Sequence, residues 1–360
     1  MPTGRKTFLT GRMVPSTGCL ASVSESSEKS WKISTVSPVS TNLYTYVGIG
    51  VSGVGTQVHR VPNGIWLAWD SMRSRTAVIP AAGLGTRFYP VTKAVPKELL
   101  PIVDVPVLQL VMDEAIAAGA EHIVLVSHVS KTPVEAYVAP SAAVIDKVRA
   151  SGRDDLANRL ARIGTDVRVS VVYQDAPRGL GHAVGCARSA VGDEPFSVLL
   201  PDEIMGDATL LNALVDSCEK KGVGAVGLMR VPMEKVSAYG VITPSASSPD
   251  EGPYDIVDVV EKPAQADAPS NLIIIGRYVL TPDVFAEIDA LKPHANGELQ
   301  LTDALRAQSL RSPLTGMLNR SQRWDTGTPM GWLTALVDIA LTRPDIEPGF
   351  RAWLTQRLGD

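Results

Sequence analysis

Residues 76–101 read TAVIPAAGLGTRFYPVTKAVPKELLP. The stretch begins with a short apolar run at residues 77–79, which predicts a buried parallel strand. Gly83 and Gly85 follow that strand. Glycines at these positions let the backbone approach a ligand closely and turn its amides towards it. The start of the stretch therefore predicts an anion-binding loop at the end of a strand.

Three cations follow the glycines within the same stretch. Pro90, Pro96 and Pro101 forbid a long uninterrupted helix here, so we expect the cations to lie on an irregular loop above the strand end. Backbone amides and permanent cations together predict a site for a polyphosphate. The three cations are Arg87, Lys93 and Lys97.

Two common phosphate-binding motifs do not fit this loop. A dinucleotide-binding fingerprint needs a glycine where Phe88 stands, and a Walker-type loop needs Gly-Lys-Ser/Thr, which the chain lacks. The pattern G-x-G-T-R followed by P-K instead resembles the signature of the sugar-phosphate nucleotidyltransferases. Within that family, TKAVPKELLPIVD at residues 92–104 is most similar to the bacterial UTP–glucose-1-phosphate uridylyltransferases. The resemblance extends over about residues 76–358.

From residue 76 onward, strand and helix patterns alternate. Such alternation predicts an α/β fold with a Rossmann-like mixed, mainly parallel sheet flanked by helices, and ligands at the carboxyl edge of the strands. We predict one catalytic domain over residues 76–360, with a sugar-binding subregion that begins near residues 245–253. The predicted strands are 77–79, 123–127, 167–173, 196–200 and 224–231, and the predicted helical regions are 105–119, 131–163, 180–191 and 207–221.

Composition excludes several classes of function. The chain has 360 residues with 45% hydrophobic content, enough to bury a sizeable core. A net charge of −4 gives no indication of a nucleic-acid partner, and no apolar run is long enough to predict a membrane span. Cys19, Cys186 and Cys218 are widely separated, which fits a reducing cytoplasm and neither a disulfide framework nor a zinc site.

Residues 1–75 differ from the rest of the chain. They are rich in Ser, Thr, Gly and Val, carry eight Lys or Arg against three acids, and show no sustained helical periodicity. A transit-like leader, a disordered regulatory tail and an untranslated upstream extension are all compatible with this composition. We favour the third, because the sequence after Met72 is similar to an ordinary start of the resembling family.

A second glycine pair lies in QDAPRGLGHA, residues 174–183. Gln174 offers both a donor and an acceptor, which the imide edge of a pyrimidine requires. The resemblance implies that Gln174 and Gly179 contact uracil, whereas a solvent-exposed loop with a helix cap is the alternative. His182 is expected to cap or pack rather than to catalyse. The implied nucleotide-binding residues are Ala82, Gly83, Gly85, Thr86, Gln174 and Gly179.

Asp202 follows the apolar run of residues 196–200, at the edge of the predicted sheet. A carboxylate there can hold Mg²⁺ together with phosphate oxygens, and the resemblance to the L-P-D motif implies that it does. Asp325, in WDTGT, is implied to lie near the metal and the phosphates. A helix cap is the alternative for each, and Thr328 is an equally good cap for the helix after Asp325. The implied catalytic residues are Arg87, Lys97, Asp202 and Lys262.

Further motifs resemble the sugar-binding half of the family. Adjacent opposite charges such as Glu261 and Lys262 are usually solvated, but their place in the ordered series of motifs favours a functional role. The resemblance implies that the acid accepts bonds from sugar hydroxyls and that the lysine contacts the sugar phosphate. The implied sugar-binding residues are Gly240, Glu261, Lys262, Asn271, Gly276 and Glu298.

The resemblance implies transfer of a uridylyl group from UTP to α-D-glucose 1-phosphate, which gives UDP-glucose and pyrophosphate with Mg²⁺ as the cofactor. It also implies a cytoplasmic homo-oligomer. A glucose-1-phosphate thymidylyltransferase is an alternative, because Asp325-Thr-Gly-Thr is more typical of that branch. A non-catalytic nucleotide-sugar sensor is a second alternative, against which the intact Arg87, Lys97, Asp202 and Lys262 argue.

A chain that begins at Met72 is expected to keep the melting temperature and turnover of the full chain, because residues 1–71 show no packing pattern. Thermal unfolding and steady-state assays of the two chains measure this. Loss of folding or turnover in the shorter chain would show that the extension is integral to the enzyme.

Overall fold

The computed structural model describes residues 20–25, 31–36, 49–51, 54–56, 58–60, 66–68, 73–163 and 166–359. The chain divides into two compact units, residues 1–58 and residues 59–360. The strands described in the first 75 residues are short and form two-stranded pairs, β1 with β2, β3 with β4, and β5 with β6. They are β1 Leu20–Glu25, β2 Trp31–Val36, β3 Ile49–Val51, β4 Val54–Thr56, β5 Val58–Arg60 and β6 Trp66–Ala68.

Much of the predicted extension, including Cys19, lies outside the described residues. The short strand pairs are more regular structure than the sequence predicts, because strands of three to six residues leave little periodicity to detect. The boundary of the catalytic domain near residue 76 stays a prediction.

The part of the second unit from residue 76 onward alternates strands and helices as predicted. Its strands are β7 Thr76–Pro80, β8 Pro101–Ile102, β9 Val105–Pro106, β10 His122–Ser127, β11 Arg168–Tyr173, β12 Phe196–Leu199, β13 Glu203–Met205, β14 Ala225–Arg230, β15 Gly240–Pro244, β16 Tyr254–Glu261, β17 Leu272–Leu280, β18 Leu314–Leu318 and β19 Arg323–Asp325. Its helices are α1 Val107–Ala117, α2 Thr132–Val138, α3 Ala142–Ala150, α4 Asp154–Ala161, α5 Gly179–Cys186, α6 Arg188–Val191, α7 Thr209–Lys221, α8 Val284–Ala290, α9 Leu301–Ser309, α10 Pro329–Ala340 and α11 Glu347–Gly359.

Nine strands form one mixed sheet in the order β11-β10-β7-β12-β17-β14-β18-β16-β15. The four strands from β11 to β12 are parallel, as is the β14–β18 pair. The other pairs are antiparallel. Strand β17 runs opposite to its neighbours β12 and β14, and β15 and β16 form a hairpin. The mixed α/β fold is as predicted. The expected predominance of parallel pairing holds only from β11 to β12, because the later strands pair mostly antiparallel.

The sheet is buried on both faces, which explains its continuous apolar runs. Along β7, Ala77 and Ile79 pack into one hydrophobic cluster and Val78 into the other, since successive side chains point to opposite faces. Helices α1 and α7 cover the first face, and α5, α8 and α9 cover the second. None of the helices in the described ranges is both long and apolar enough to cross a membrane.

The loop after β7 forms three short 3₁₀ turns, at Thr86–Phe88, Val91–Lys93 and Lys97–Leu99. The prediction of an irregular loop that carries the cations is therefore confirmed. Beyond α1, a smaller two-stranded sheet pairs β13 with β19. That pair joins two segments more than a hundred residues apart in the sequence. It brings the segment that follows Asp202 beside Asp325.

Candidate active site

The glycine loop begins where β7 ends and is closed by Lys97. Gly85 has φ of 65°, a left-handed conformation that glycine adopts without strain. A Cβ at Gly85 would lie 3.2 Å from Lys97 Cβ and 3.1 Å from Thr92 Cγ2, so a side chain there would be crowded as well as strained. The Thr92 hydroxyl donates to the Gly85 carbonyl at 2.8 Å and fixes the turn.

Lys97 and Asp202 form the central ion pair of the site, with Nζ 2.5 Å from Oδ2. Burial disfavours the charged Lys97, but the carboxylates of Asp202 and Glu98 outweigh it and raise the pKa of the ammonium. Burial likewise opposes ionisation of Asp202, yet Lys97 keeps the pKa of that carboxyl below its ordinary value. Both groups are therefore charged near neutral pH. The pair joins the glycine loop to the end of β12.

The strand pair β13–β19 brings Asp202 close to Asp325. The backbone amide of Thr326 donates to the Asp202 carbonyl at 2.7 Å, and the Thr326 hydroxyl donates to the same oxygen. A Cβ at Gly327 would lie 3.1 Å from Asp325 Oδ1 and 3.2 Å from Asp202 Oδ2, so both carboxylates border one small space. Arg87 reaches the same place, with Nη1 3.4 Å from the Gly327 carbonyl.

Neither carboxylate serves as a helix cap. Thr328 is the N-cap of α10 and accepts a bond from the Gly331 amide, whereas Asp325 ends β19. Helix α7 begins at Thr209, seven positions after Asp202. The capping alternatives are therefore wrong for both aspartates.

Asp202 and Asp325 are a donor set suited to a hard divalent cation, which proteins often hold with one or two carboxylates while phosphates and waters complete the shell. Within the described ranges, no cluster of three or more His, Cys, Asp or Glu side chains could hold a metal by itself. The two aspartates thus fit a metal that arrives with a phosphate ligand rather than a closed protein cage.

Arg277 supports Asp202 from behind. Its guanidinium is fully buried, pairs with Glu114 at 2.6 Å and donates to the Glu203 carbonyl at 2.8 Å. Arg277 directly follows Gly276, which the resemblance assigns to sugar binding, and the sequence motifs alone assign no role to Arg277. A signal was available, because a charge inside an otherwise apolar run such as LIIIGRYVL requires a buried partner.

The predicted base-contacting residue Gln174 is buried and held from two sides. Its Nε2 lies 2.9 Å from His182 Nδ1 and 3.2 Å from the Gly179 carbonyl. Burial and the nearby Arg178 lower the pKa of His182, so the imidazole is neutral and its Nδ1 can accept. His182 therefore orients Gln174, a role that differs from the capping or packing expected of it. Both amide hydrogens are thus used within the protein, so the donor expected of Gln174 is not available to a base. Its Oε1 accepts no hydrogen bond from the part of the chain that the structure describes, and it can accept one from a ligand.

The glycines of the second loop pack directly on the segment before α9. A Cβ at Gly179, which has φ of 89°, would lie 2.6 Å from the Leu299 carbonyl oxygen, and one at Gly181 would lie 2.9 Å from it. The Gly181 amide donates to that same oxygen at 2.9 Å. The predicted sugar residue Glu298 is thereby placed beside the predicted base loop, where it accepts bonds from Asn296 and Gln300.

Three predicted sugar residues lie together. Gly240 pairs with Glu261 across β15 and β16, and Lys262 Nζ is 3.1 Å from Glu261 Oε1. The other side of Gly240 faces Thr302 at the start of α9, 3.1 Å from where a Cβ would stand. Segment 298–302 therefore contacts the base loop at one end and the sugar group at the other.

The remaining predicted sugar residues lie on or beside β17. Asn271 precedes the strand and is partly exposed. Gly276 is buried, and a Cβ there would lie 2.7 Å from Leu200 Cβ and 2.9 Å from Glu203 Cδ. Gly276 thus packs against the residues on either side of Asp202 in the segment 200–203. Because these residues come so close, the position has no space for a side chain.

Comparison with known proteins agrees with this geometry. A family model described as Nucleotidyl transferase matches residues 76–341. A UTP–glucose-1-phosphate uridylyltransferase of Streptococcus pneumoniae is 41% identical over 288 residues, which cover 78% of this chain and 95% of that protein. The chain belongs to the nucleotidyl transferase family. The family predicted from the glycine loop is confirmed.

Two solved structures resemble this nucleotidyltransferase closely. A UDP-glucose pyrophosphorylase complexed with UDP-glucose is 38% identical, with a TM-score of 0.68 over 75% of this chain and 100% of that one. A UTP-bound UGPase from Acinetobacter baumannii is 34% identical, with a TM-score of 0.70 over 78% of this chain and 98% of that one. The predicted α/β nucleotidyltransferase fold is confirmed. The family generally uses a divalent metal ion.

Replacement of Gly276 by alanine is expected to lower the free energy of unfolding by about 1–3 kcal/mol, because the added methyl has no room against Leu200. Turnover should fall as well, since the displaced segment carries Asp202. Urea unfolding and steady-state assays measure both. Gly349→Ala on α11 is the matched control, as nothing lies within 4 Å of a Cβ there. Unchanged stability with a raised KM for the sugar phosphate would instead make Gly276 a sugar contact.

Proposed function

We propose that the protein is a UTP–glucose-1-phosphate uridylyltransferase. It transfers the uridylyl group of UTP to α-D-glucose 1-phosphate and releases UDP-glucose and pyrophosphate. The observation that carries the proposal is the convergence of the glycine loop, Lys97, Asp202 and Asp325 at the carboxyl end of β7. The uridylyltransferase and UDP-glucose pyrophosphorylase relatives described above support the choice of substrates.

The reaction needs no protein nucleophile and no general base, because the attacking phosphate oxygen of glucose 1-phosphate is already an anion. Catalysis then consists of positioning and charge neutralisation. The loop amides with Arg87 and Lys97 bind the triphosphate, and Gln174 orients the base. Glu261 and Lys262 bring the sugar phosphate to the opposite side, in line with the leaving pyrophosphate.

We assign Mg²⁺ as the metal, with Asp202 and Asp325 as its protein ligands. When bound, Mg²⁺ would neutralise charge on the phosphate oxygens. The carboxyl pair that borders Gly327 supports this assignment. Lys97 forms an ion pair with the Asp202 carboxylate and balances its negative charge.

Two finer assignments complete the proposal. A cytoplasmic location is supported by the free thiols of Cys186 and Cys218 in the described part of the chain. A homo-oligomeric state is supported by the resemblance to the uridylyltransferases. The thymidylyltransferase alternative rests on the sequence Asp325-Thr-Gly-Thr, in which the Thr326 amide and hydroxyl both donate to the Asp202 carbonyl.

Pyrophosphate release from a matrix of four nucleoside triphosphates and three hexose 1-phosphates tests the function. UTP with glucose 1-phosphate is expected to be the best pair, and UTP should exceed dTTP by about tenfold or more in kcat/KM. Equal or better use of dTTP would move the protein to the thymidylyl branch. Nucleotide-sugar binding without any turnover would make it a sensor.

The two lysines should separate kinetically, because they lie on opposite sides of the reacting phosphates. Lys97→Met is expected to raise the KM for UTP about tenfold or more and to slow the reverse reaction with pyrophosphate. Lys262→Met should instead raise the KM for glucose 1-phosphate and leave UTP affinity, measured by calorimetry without sugar, nearly unchanged. Lys221→Met, which removes an exposed surface pair with Asp255, is the control. Loss of UTP binding in Lys262→Met would contradict the two-sided site.

A further inference from the structure

Lys131 lies on a different segment from every residue assigned to the site, four positions after β10 ends. Its side chain is 9% exposed, and its Nζ makes four contacts. Two are to backbone carbonyls of the glycine loop, at 2.7 Å for Ala81 and 2.5 Å for Gly83. The other two are to the carboxylate of Glu98, at 3.0 and 2.9 Å, and that side chain is fully buried.

The two carbonyl contacts determine where the loop amides point. The only cis peptides of the described residues precede Pro90 and Pro253, so the peptides after Ala81 and Gly83 are trans. In a trans peptide the N–H points opposite to the C=O. The amides of Ala82 and Leu84 are therefore directed away from Lys131. No acceptor within the described ranges takes either amide.

Glu98 extends this arrangement to the cationic part of the loop. It directly follows Lys97, whose ammonium neutralises Asp202. The Nζ of Lys131 thus binds the carbonyls of the glycine loop and also Glu98, the residue next to Lys97. The positions of the loop amides and of Lys97 therefore both depend on the buried ammonium of Lys131.

We propose that Lys131, paired with Glu98, is a positioning residue for the nucleotide: it turns the Ala82 and Leu84 amides towards the phosphates of UTP. It touches no substrate and acts through the loop backbone. The inference rests on the proposed function, because it names how that site receives its nucleotide.

A set of variants separates positioning from stability. Lys131→Met removes the cation that is hydrogen-bonded to the buried Glu98 carboxylate, so it should lower the melting temperature as well as UTP affinity. The double variant Lys131→Met/Glu98→Leu removes both charges and should recover most of the melting temperature. Its amides are no longer held, so its Kd for UTP, measured by calorimetry without sugar, should stay raised about tenfold or more. The KM for glucose 1-phosphate should change less than about twofold in both variants, and Lys221→Met is again the control.

Recovery of wild-type UTP affinity in the double variant would overturn the proposal, since the pair would then be purely structural. An unchanged Kd in Lys131→Met, or a double variant that does not fold, would overturn it too. The proposed function is checked first and separately: if the wild-type protein forms no UDP-glucose, that function fails before any variant is compared, and this assignment of Lys131 fails with it.

Discussion

The buried guanidinium of Arg277 is the interaction on which the rest of the site depends. All five of its N–H groups have acceptors: both oxygens of Glu114 and the carbonyls of Leu200, Gly276 and Glu203. A buried charge is tolerated only when it is paired and fully hydrogen-bonded. Because these acceptors come from α1, β17 and the segment after β12, one side chain fixes Asp202 relative to the sheet before any substrate binds. Such preorganisation is the main source of electrostatic catalysis.

Charges alternate from this point towards the cleft. The Glu203 carboxylate, whose backbone carbonyl binds Arg277, pairs with Arg323 at 2.6 Å, and Arg323 in turn lies 3.7 Å from Asp325. Burial opposes the charge of Arg323, but Glu203 outweighs it and raises the pKa of the guanidinium. Asp202 and Asp325 therefore each have a cationic neighbour, Lys97 and Arg323. These cations offset the repulsion between the two neighbouring carboxylates.

The sequence was sufficient for the fold and for the position of Asp202 beside the glycine loop, and its failures have physical reasons. Apolar runs and glycines predicted β7, the loop after it and the position of Asp202 at the edge of the sheet. These features depend on residues that are neighbours in the sequence. The pairing of β13 with β19 was not predictable, since strands of three residues carry no periodic signal. Lys131 was missed because a lysine after a strand usually lies in solvent, and only the tertiary structure shows its carbonyl partners.

Segment 298–302 is a wall shared by the two halves of the cleft. On one side it leaves no space for a side chain at Gly179, and on the other it confines Gly240. A mutation that reshapes the proposed base pocket by moving Leu299 would also move Thr302 and the proposed sugar pocket. Under the proposed function, the preference for nucleotide and the preference for sugar are therefore not independent traits in this architecture. Redesign of either specificity will have to treat both pockets as a single structural unit.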